Sequence, residues 1–168
     1  MVEKWNLLSD WQDTYKSVED AKVSVGHIKG ILDEHNISLE NEKVLEIGTG
    51  KGLMLKAMRS AGVDVVGVDR NPRGDQIEGT AKARVEALPF EDATFGVVIS
   101  LSVFDTEVYE QDQQKMLGEI VRVLKPNGVL LTAGADHFSA AVNPNSVGLT
   151  LISDAADIHF DAVYRKSS

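Results

Sequence analysis

The 168-residue sequence predicts an α/β protein built on a doubly wound, mostly parallel sheet. Three observations predict it. Short apolar, β-branched runs alternate with amphipathic helical stretches along the whole chain. Val44, Leu45 and Ile47 form a short buried run that passes directly into Gly48-Thr49-Gly50-Lys51-Gly52 and then into a helix-forming segment, residues 53–61. A second buried run, residues 63–68, ends in Asp69, 21 positions past Gly48. Sheets of this kind bind ligands at the carboxyl ends of their strands. The ends to inspect are residues 48–52, Asp69, 84–86, 100–105 and 134–137.

In chain order, residues 1–15 carry both tryptophans, Trp5 and Trp11, and set Leu8, Trp11 and Tyr15 on one helical face. Two readings are open for this segment: a short helix capping the core, or a lid whose aromatics close over a ligand. Val18, Ala21, Val25, Ile28 and Leu32 then mark an amphipathic helix of three to four turns. Its isolated His27 and His35 have neither the number nor the spacing of a metal site, and no metal is expected. Residues 36–42 are a polar loop into the first strand.

The glycines that follow suit a tight reversal in which a ligand touches bare backbone, with the free N–H groups of the next helix aimed at it. An acid at the tip of the second strand is placed to accept hydrogen bonds from both hydroxyls of a ribose. Together these features describe a site for a nucleoside cofactor. A dinucleotide fingerprint needs glycine at the sixth position of G-x-G-x-x-G, and here that position is Leu53. Residues 70–75 are turn chemistry, and the next strand lies near Ala83, leaving little room for a helix between the second and third strands.

Residues 95–101 read as a fourth strand and residues 107–124 as the clearest helix, ended by Pro126-Asn127-Gly128. A fifth strand covers residues 129–132. Residues 135–145 are too short and too broken by Pro144 for a long helix. Residues 149–152 and 158–164 are two strands, an antiparallel hairpin on the sheet edge. With no repeat or linker, residues 1–168 are expected to be one domain: a helical cap or lid over 1–40, a core over 43–134 and the hairpin over 148–165.

The motif around the glycines is G-x-G-x-G preceded by Glu46, and three further blocks follow it: Leu88-Pro89-Phe90-Glu91-Asp92, Val97-Val98-Ile99-Ser100 and Glu119-Ile120-Val121-Arg122-Val123-Leu124-Lys125-Pro126-Asn127-Gly128. In order and spacing these four blocks resemble the class I S-adenosylmethionine-dependent methyltransferases, in particular their small-molecule branch. The resemblance spans residues 44–131. It implies a Rossmann-like, three-layer αβα fold with a seven-stranded sheet and an antiparallel edge strand, and S-adenosylmethionine as cofactor.

On that resemblance Gly48, Thr49, Gly50 and Gly52 lie against the methionine and ribose portion, Glu46 holds the ammonium end, and Asp69 with Arg70 serves the ribose. The alternatives are that Glu46 caps the glycine loop and that Asp69 pairs with Arg70 or Arg73. Ser100 ends the fourth strand beside the methionine chain. The family's motif places an acid for the adenine amine four residues before the Leu-Pro-Phe leucine, where this chain has Arg84. Arginine has only donors. Either Arg84 turns outward and Glu86 or a carbonyl takes the amine, or adenine is held by apolar contact and the Val85 N–H alone. The second is expected, since Glu86 lies two residues on and would need a shifted loop.

Methyl transfer from a sulfonium mainly requires alignment and exclusion of water, worth up to about 7–11 kcal/mol. General-base help adds roughly a hundred- to ten-thousand-fold. His137, with Asp136 beside it after the fifth strand, is the candidate base, because an imidazole titrates near neutrality. Asp105 and Asp136 are weaker candidates.

Composition narrows the partners. Seventeen basic against 26 acidic residues give a net charge of -9 with no basic cluster, so nucleic acid is not an expected substrate. The chain has no cysteine, which excludes disulfides and thiolate metal sites and leaves the redox compartment open. With no apolar run of membrane-spanning length and no basic-then-apolar pattern at the N-terminus, no membrane association is expected and the cytoplasm is the expected location. The leading function is methyl transfer to a small-molecule acceptor. The alternative is a non-catalytic, methyltransferase-like scaffold that senses S-adenosylmethionine and works with a protein partner.

Overall fold

A computed structural model describes residues 15–72, 78–101, 103–104, 112–133, 142–153 and 162–168. Helix α1 (Val18–Glu34) is capped by Ser17, whose side chain accepts from the Asp20 N–H. It leads through a short turn (Leu39–Asn41) to β1 (Val44–Ile47). Then come α2 (Leu53–Ser60), β2 (Val65–Asp69), β3 (Thr80–Lys82) and β4 (Phe95–Leu101). Helix α3 (Gln113–Val123) runs into β5 (Leu124–Ala133), and β6 (Leu149–Ser153) and β7 (Ala162–Lys166) complete the described residues.

The seven strands are ordered β3-β2-β1-β4-β5-β7-β6. All neighbours from β3 to β5 are parallel, while β7 is antiparallel to both β5 and β6. The last strand is thus the antiparallel one, and it forms an edge hairpin with β6. β1 is buried along its whole length and β4 at all but its last residue, as parallel strands covered on both faces must be.

Alternation divides the core. Val44, Val97, Ile99, Val129 and Leu131 face α1 and α2, while Leu45, Ile47, Val98 and Leu130 face α3. On α1 the buried stripe is Ala21, Val25, Ile28 and Leu32, and on α3 it is Met116, Leu117, Ile120 and Val123. The chain progresses outward from β1 through β2 to β3, then returns to β4 on the other side. That reversal opens a crevice at the carboxyl ends of β1 and β4.

Several boundaries differ from the sequence reading. β3 lies at Thr80–Lys82 rather than near Ala83, although the Ala83 N–H still donates to Asp69 O. β5 begins at Leu124, not at 129: Leu124 pairs with Phe95, and the ladder resumes only at Val97 and Val129. Pro126-Asn127-Gly128 is therefore a bulge inside the strand, with Asn127 at φ +61°. Asp112 caps α3 through the Lys115 N–H, and residues 107–111 of the expected helix lie outside the described residues. So do residues 158–161 of the expected last strand, and Trp5, Leu8 and Trp11.

Among the described residues there is no helix between β2 and β3. Arg59 of α2 fills that side instead, donating to Val65 O (3.0 and 3.3 Å) and to Glu78 O (2.5 Å). No helix among the described residues is long and apolar enough to cross a membrane.

Candidate functional site

The loop between β1 and α2 is built around three left-handed glycines: Gly48, Gly50 and Gly52 have φ of +78°, +50° and +68°. Side chains rarely adopt these values, which is why glycine stands at each. At Gly48 there is a second reason, since a Cβ would lie 2.6 Å from Val103 Cγ2. The loop is stitched to β2 by the Gly48 N–H donating to Val68 O at 2.8 Å. Thr49 is buried beneath it, with its methyl 2.2 Å from where a Cβ on Gly67 would stand. Thr49 therefore supports the loop from below, and it is not among the residues lining the cleft.

Asp69 closes the arrangement. Its two carboxylate oxygens accept from the Gly50 N–H at 2.8 Å and the Asn71 N–H at 2.7 Å. The acid that anchors the glycine loop is thus Asp69 rather than Glu46.

Glu46 sits lower, at only 2 % exposure, and its Oε2 has no hydrogen-bond partner among the described residues. Burial, with the Asp69 charge adding and Arg59 offsetting part, pushes its carboxyl up to about 8. Tyr15 packs on the same core cluster; its own burial raises its hydroxyl, a Ser24 hydrogen bond lowers it, and the Glu46 charge raises it further.

Of these residues, Gly48 and Asp69 line a cleft of about 460 Å³ at the carboxyl ends of β1 and β2, while Glu46, Gly50 and Gly52 are not among its lining residues. Its apolar wall is Ile47, Val68, Ala83, Val85 and Val103, with Gly48 at the loop side, and its polar groups are Asp69, Arg70, Arg84 and Glu86. Arg84 and Glu86 flank the short turn Val85–Ala87 and form an ion pair at 2.8 Å. The Arg84 side chain is 59% exposed and that of Glu86 only 12%. Glu86 therefore lines the cleft with no displacement of the loop, and the stated reason for relying on Val85 alone does not hold. Val85 itself is buried in the wall.

Ser100 is fully buried at the end of β4, opposite Ile47 and Thr132. It is not among the cleft-lining residues. Arg73, Ser102, Asp105, Asp136 and His137 lie outside the described residues. No group of three or more potential metal ligands occurs among those described.

One structural device was not read from the sequence. Glu119 and Arg122 form a two-pronged pair on α3 at 2.8 and 2.9 Å. Glu119 accepts from the Leu88 N–H, while Arg122 donates to Leu88 O, Phe90 O and Asp92 Oδ1. Two of the sequence blocks are thus bolted together, and the turn carrying Arg84 and Glu86 is braced from behind. The i, i+3 acid–base spacing inside the block was the available signal.

Residues 45–132 match a family described as methyltransferase domain. The chain is 32% identical over 112 residues to a demethylmenaquinone methyltransferase of Renibacterium salmoninarum, covering 60% of this chain and 44% of that protein. It is 30% identical over 143 residues to a glycine/sarcosine N-methyltransferase of Parasynechococcus marenigrum, covering 77% and 47%. The chain spans about half the length of the curated relatives it matches. A solved S-adenosylmethionine-dependent methyltransferase from Aquifex aeolicus superposes with a TM-score of 0.53 at 17% identity, over 73% of this chain and 81% of that one, which shows a shared fold. Since the family match covers more than half of the 168 residues, the chain belongs to the methyltransferase domain family, whose cofactor is S-adenosylmethionine.

Proposed function

We propose that the protein transfers a methyl group from S-adenosylmethionine to a small-molecule acceptor. The observation that carries this reading is a cleft lined by Gly48 and Asp69, in which Asp69 holds the loop of three left-handed glycines, with the partnerless Oε2 of buried Glu46 on the strand that leads into that loop. The residues fit the cofactor. A buried carboxyl oxygen without a partner is costly on its own, and an ammonium group satisfies it. Asp69 spends one acceptor position per oxygen on backbone N–H groups and keeps others for a ribose diol. The apolar wall at Val68, Val85 and Val103 suits the face of a base.

When bound, S-adenosylmethionine supplies a methyl carbon activated by a positively charged sulfur. This chain's share is to hold and align, which is the main requirement of an in-line displacement. Where the acceptor loses a proton, His137 is our candidate to take it, with Asp136 the weaker alternative. Two relatives named for a quinone and for glycine or sarcosine support a small acceptor. A cytoplasmic location goes with that reading.

The test is a melting shift. At a hundred times its dissociation constant, S-adenosylhomocysteine is expected to stabilise the fold by about 2.7 kcal/mol. NAD is expected to give no shift, because Leu53 occupies the position of the third dinucleotide glycine. A shift with NAD and none with S-adenosylhomocysteine overturns the reading.

A further inference from the structure

We infer that Glu86, held in place by Arg84, reads the base of the bound nucleoside and selects one that carries an exocyclic amine. This rests on the cofactor reading above and assigns a specificity-determining residue within it. The observation is a division of labour between two neighbouring side chains. Arg84 precedes the turn Val85–Ala87 in extended conformation, φ −94° and ψ 150°, which leaves its guanidinium 59% exposed at the rim. Glu86 stays inside at 12% exposure, tied to Arg84 at 2.8 Å.

Val68, Ala83, Val85 and Val103 offer a base no polar side chain, Arg70 and Arg84 carry only donors, and Asp69 is bonded to the Gly50 and Asn71 N–H groups. Glu86 is therefore the acceptor on the Val85–Ala87 turn that can question the edge of a base.

What it asks for follows from its charge. Burial alone would raise its carboxyl, but the Arg84 hydrogen bond, its own backbone N–H and the charges of Arg84 and Lys115 hold it below the usual carboxylate range. It is ionised at neutral pH and can only accept. The Arg84 bond and its own N–H take part of its acceptor capacity, and the remainder suits an N–H donor. An amine is such a donor. An oxo group in the same place sets a lone pair against a negative charge and leaves the carboxylate unpaired, the kind of mismatch that polar sites reject most strongly.

The position is also fixed from behind. Glu119 and Arg122 grip the backbone of Leu88 immediately after the turn, so Glu86 is presented on a braced segment. Arg84 is a positioning residue here, because its guanidinium pairs with the Glu86 carboxylate at 2.8 Å.

The experiment is titration calorimetry of wild type, Glu86→Gln and Arg84→Ala with S-adenosylhomocysteine and with S-inosylhomocysteine, in which an oxo group replaces the amine. Wild type is expected to prefer the adenine form by about tenfold or more. Glu86→Gln can turn its amide to suit either base, so its preference is expected to fall to near unity. Arg84→Ala, an exposed change that spares the fold, is expected to lie between the two. Equal affinity of wild type for the two ligands, or an unchanged preference in folded Glu86→Gln, overturns the assignment while leaving the cofactor reading standing. If wild type binds neither ligand, the cofactor reading fails and the assignment falls with it.

Discussion

Raising the pH from 5 to 8 is expected to cost the protein about 3–4 kcal/mol of folding stability through Glu46. In the folded protein this carboxyl titrates at about 8, above the ordinary 4.5. Between those two values the native state keeps a proton that the unfolded chain has already released. Because the unfolded state then binds fewer protons, stability falls as pH rises. The contribution is fully present below about 4.5 and gone above about 8. Glu46→Gln is neutral throughout, so its stability is expected to lack this slope. Urea melts of both proteins across that pH range measure the difference, which removes every other titrating group from the comparison. Parallel curves would contradict the burial argument. The same argument links stability to function, since a buried carboxyl oxygen without a partner among the described residues is a liability that an incoming ammonium removes.

Asp69→Ala is expected to weaken S-adenosylhomocysteine binding on the order of 30- to 150-fold, equivalent to about 2–3 kcal/mol for hydrogen bonds to a charged acceptor. Two losses combine. The ribose loses its acceptor, and the Gly50 and Asn71 N–H groups lose the carboxylate that holds the glycine loop open. The fold is expected to survive, because Asp69 is half-buried at a strand end and contributes no core packing. Calorimetry with a circular dichroism control checks both statements. Unchanged affinity in a folded Asp69→Ala protein would remove Asp69 from the site.

The glycine loop was legible in the sequence because left-handed backbone leaves few residue choices, so three alternate glycines report conformation directly. β4 was legible to the residue, since an apolar run bounded by polar turns has one reading as a doubly covered strand. The start of β5 was not. Its first pairing, Leu124 with Phe95, is a long-range strand contact hidden behind Pro126-Asn127-Gly128, which read locally as a terminator.

The site divides in the same way. Glu46 and Asp69 were both singled out by the sequence, but which one bonds the glycine loop depends on side-chain reach across two strands, and spacing does not encode that. Which of Arg84 and Glu86, both on the cleft lining, is the buried one turned on the geometry of a three-residue turn. The grip of Glu119 and Arg122 on residues 88–92 joins blocks about 30 positions apart, so only the folded chain displays it.

The central claim is that S-adenosylmethionine occupies the cleft between the glycine loop and the Val85–Ala87 turn. Amide hydrogen exchange of the full chain, with and without saturating S-adenosylhomocysteine, tests it most directly. The account predicts added protection concentrated in three segments: 47–52, 69–72 and 83–87. Binding with protection confined to the opposite end of the sheet, around His35, Lys125 and Arg165 where a second cleft lies, would contradict it.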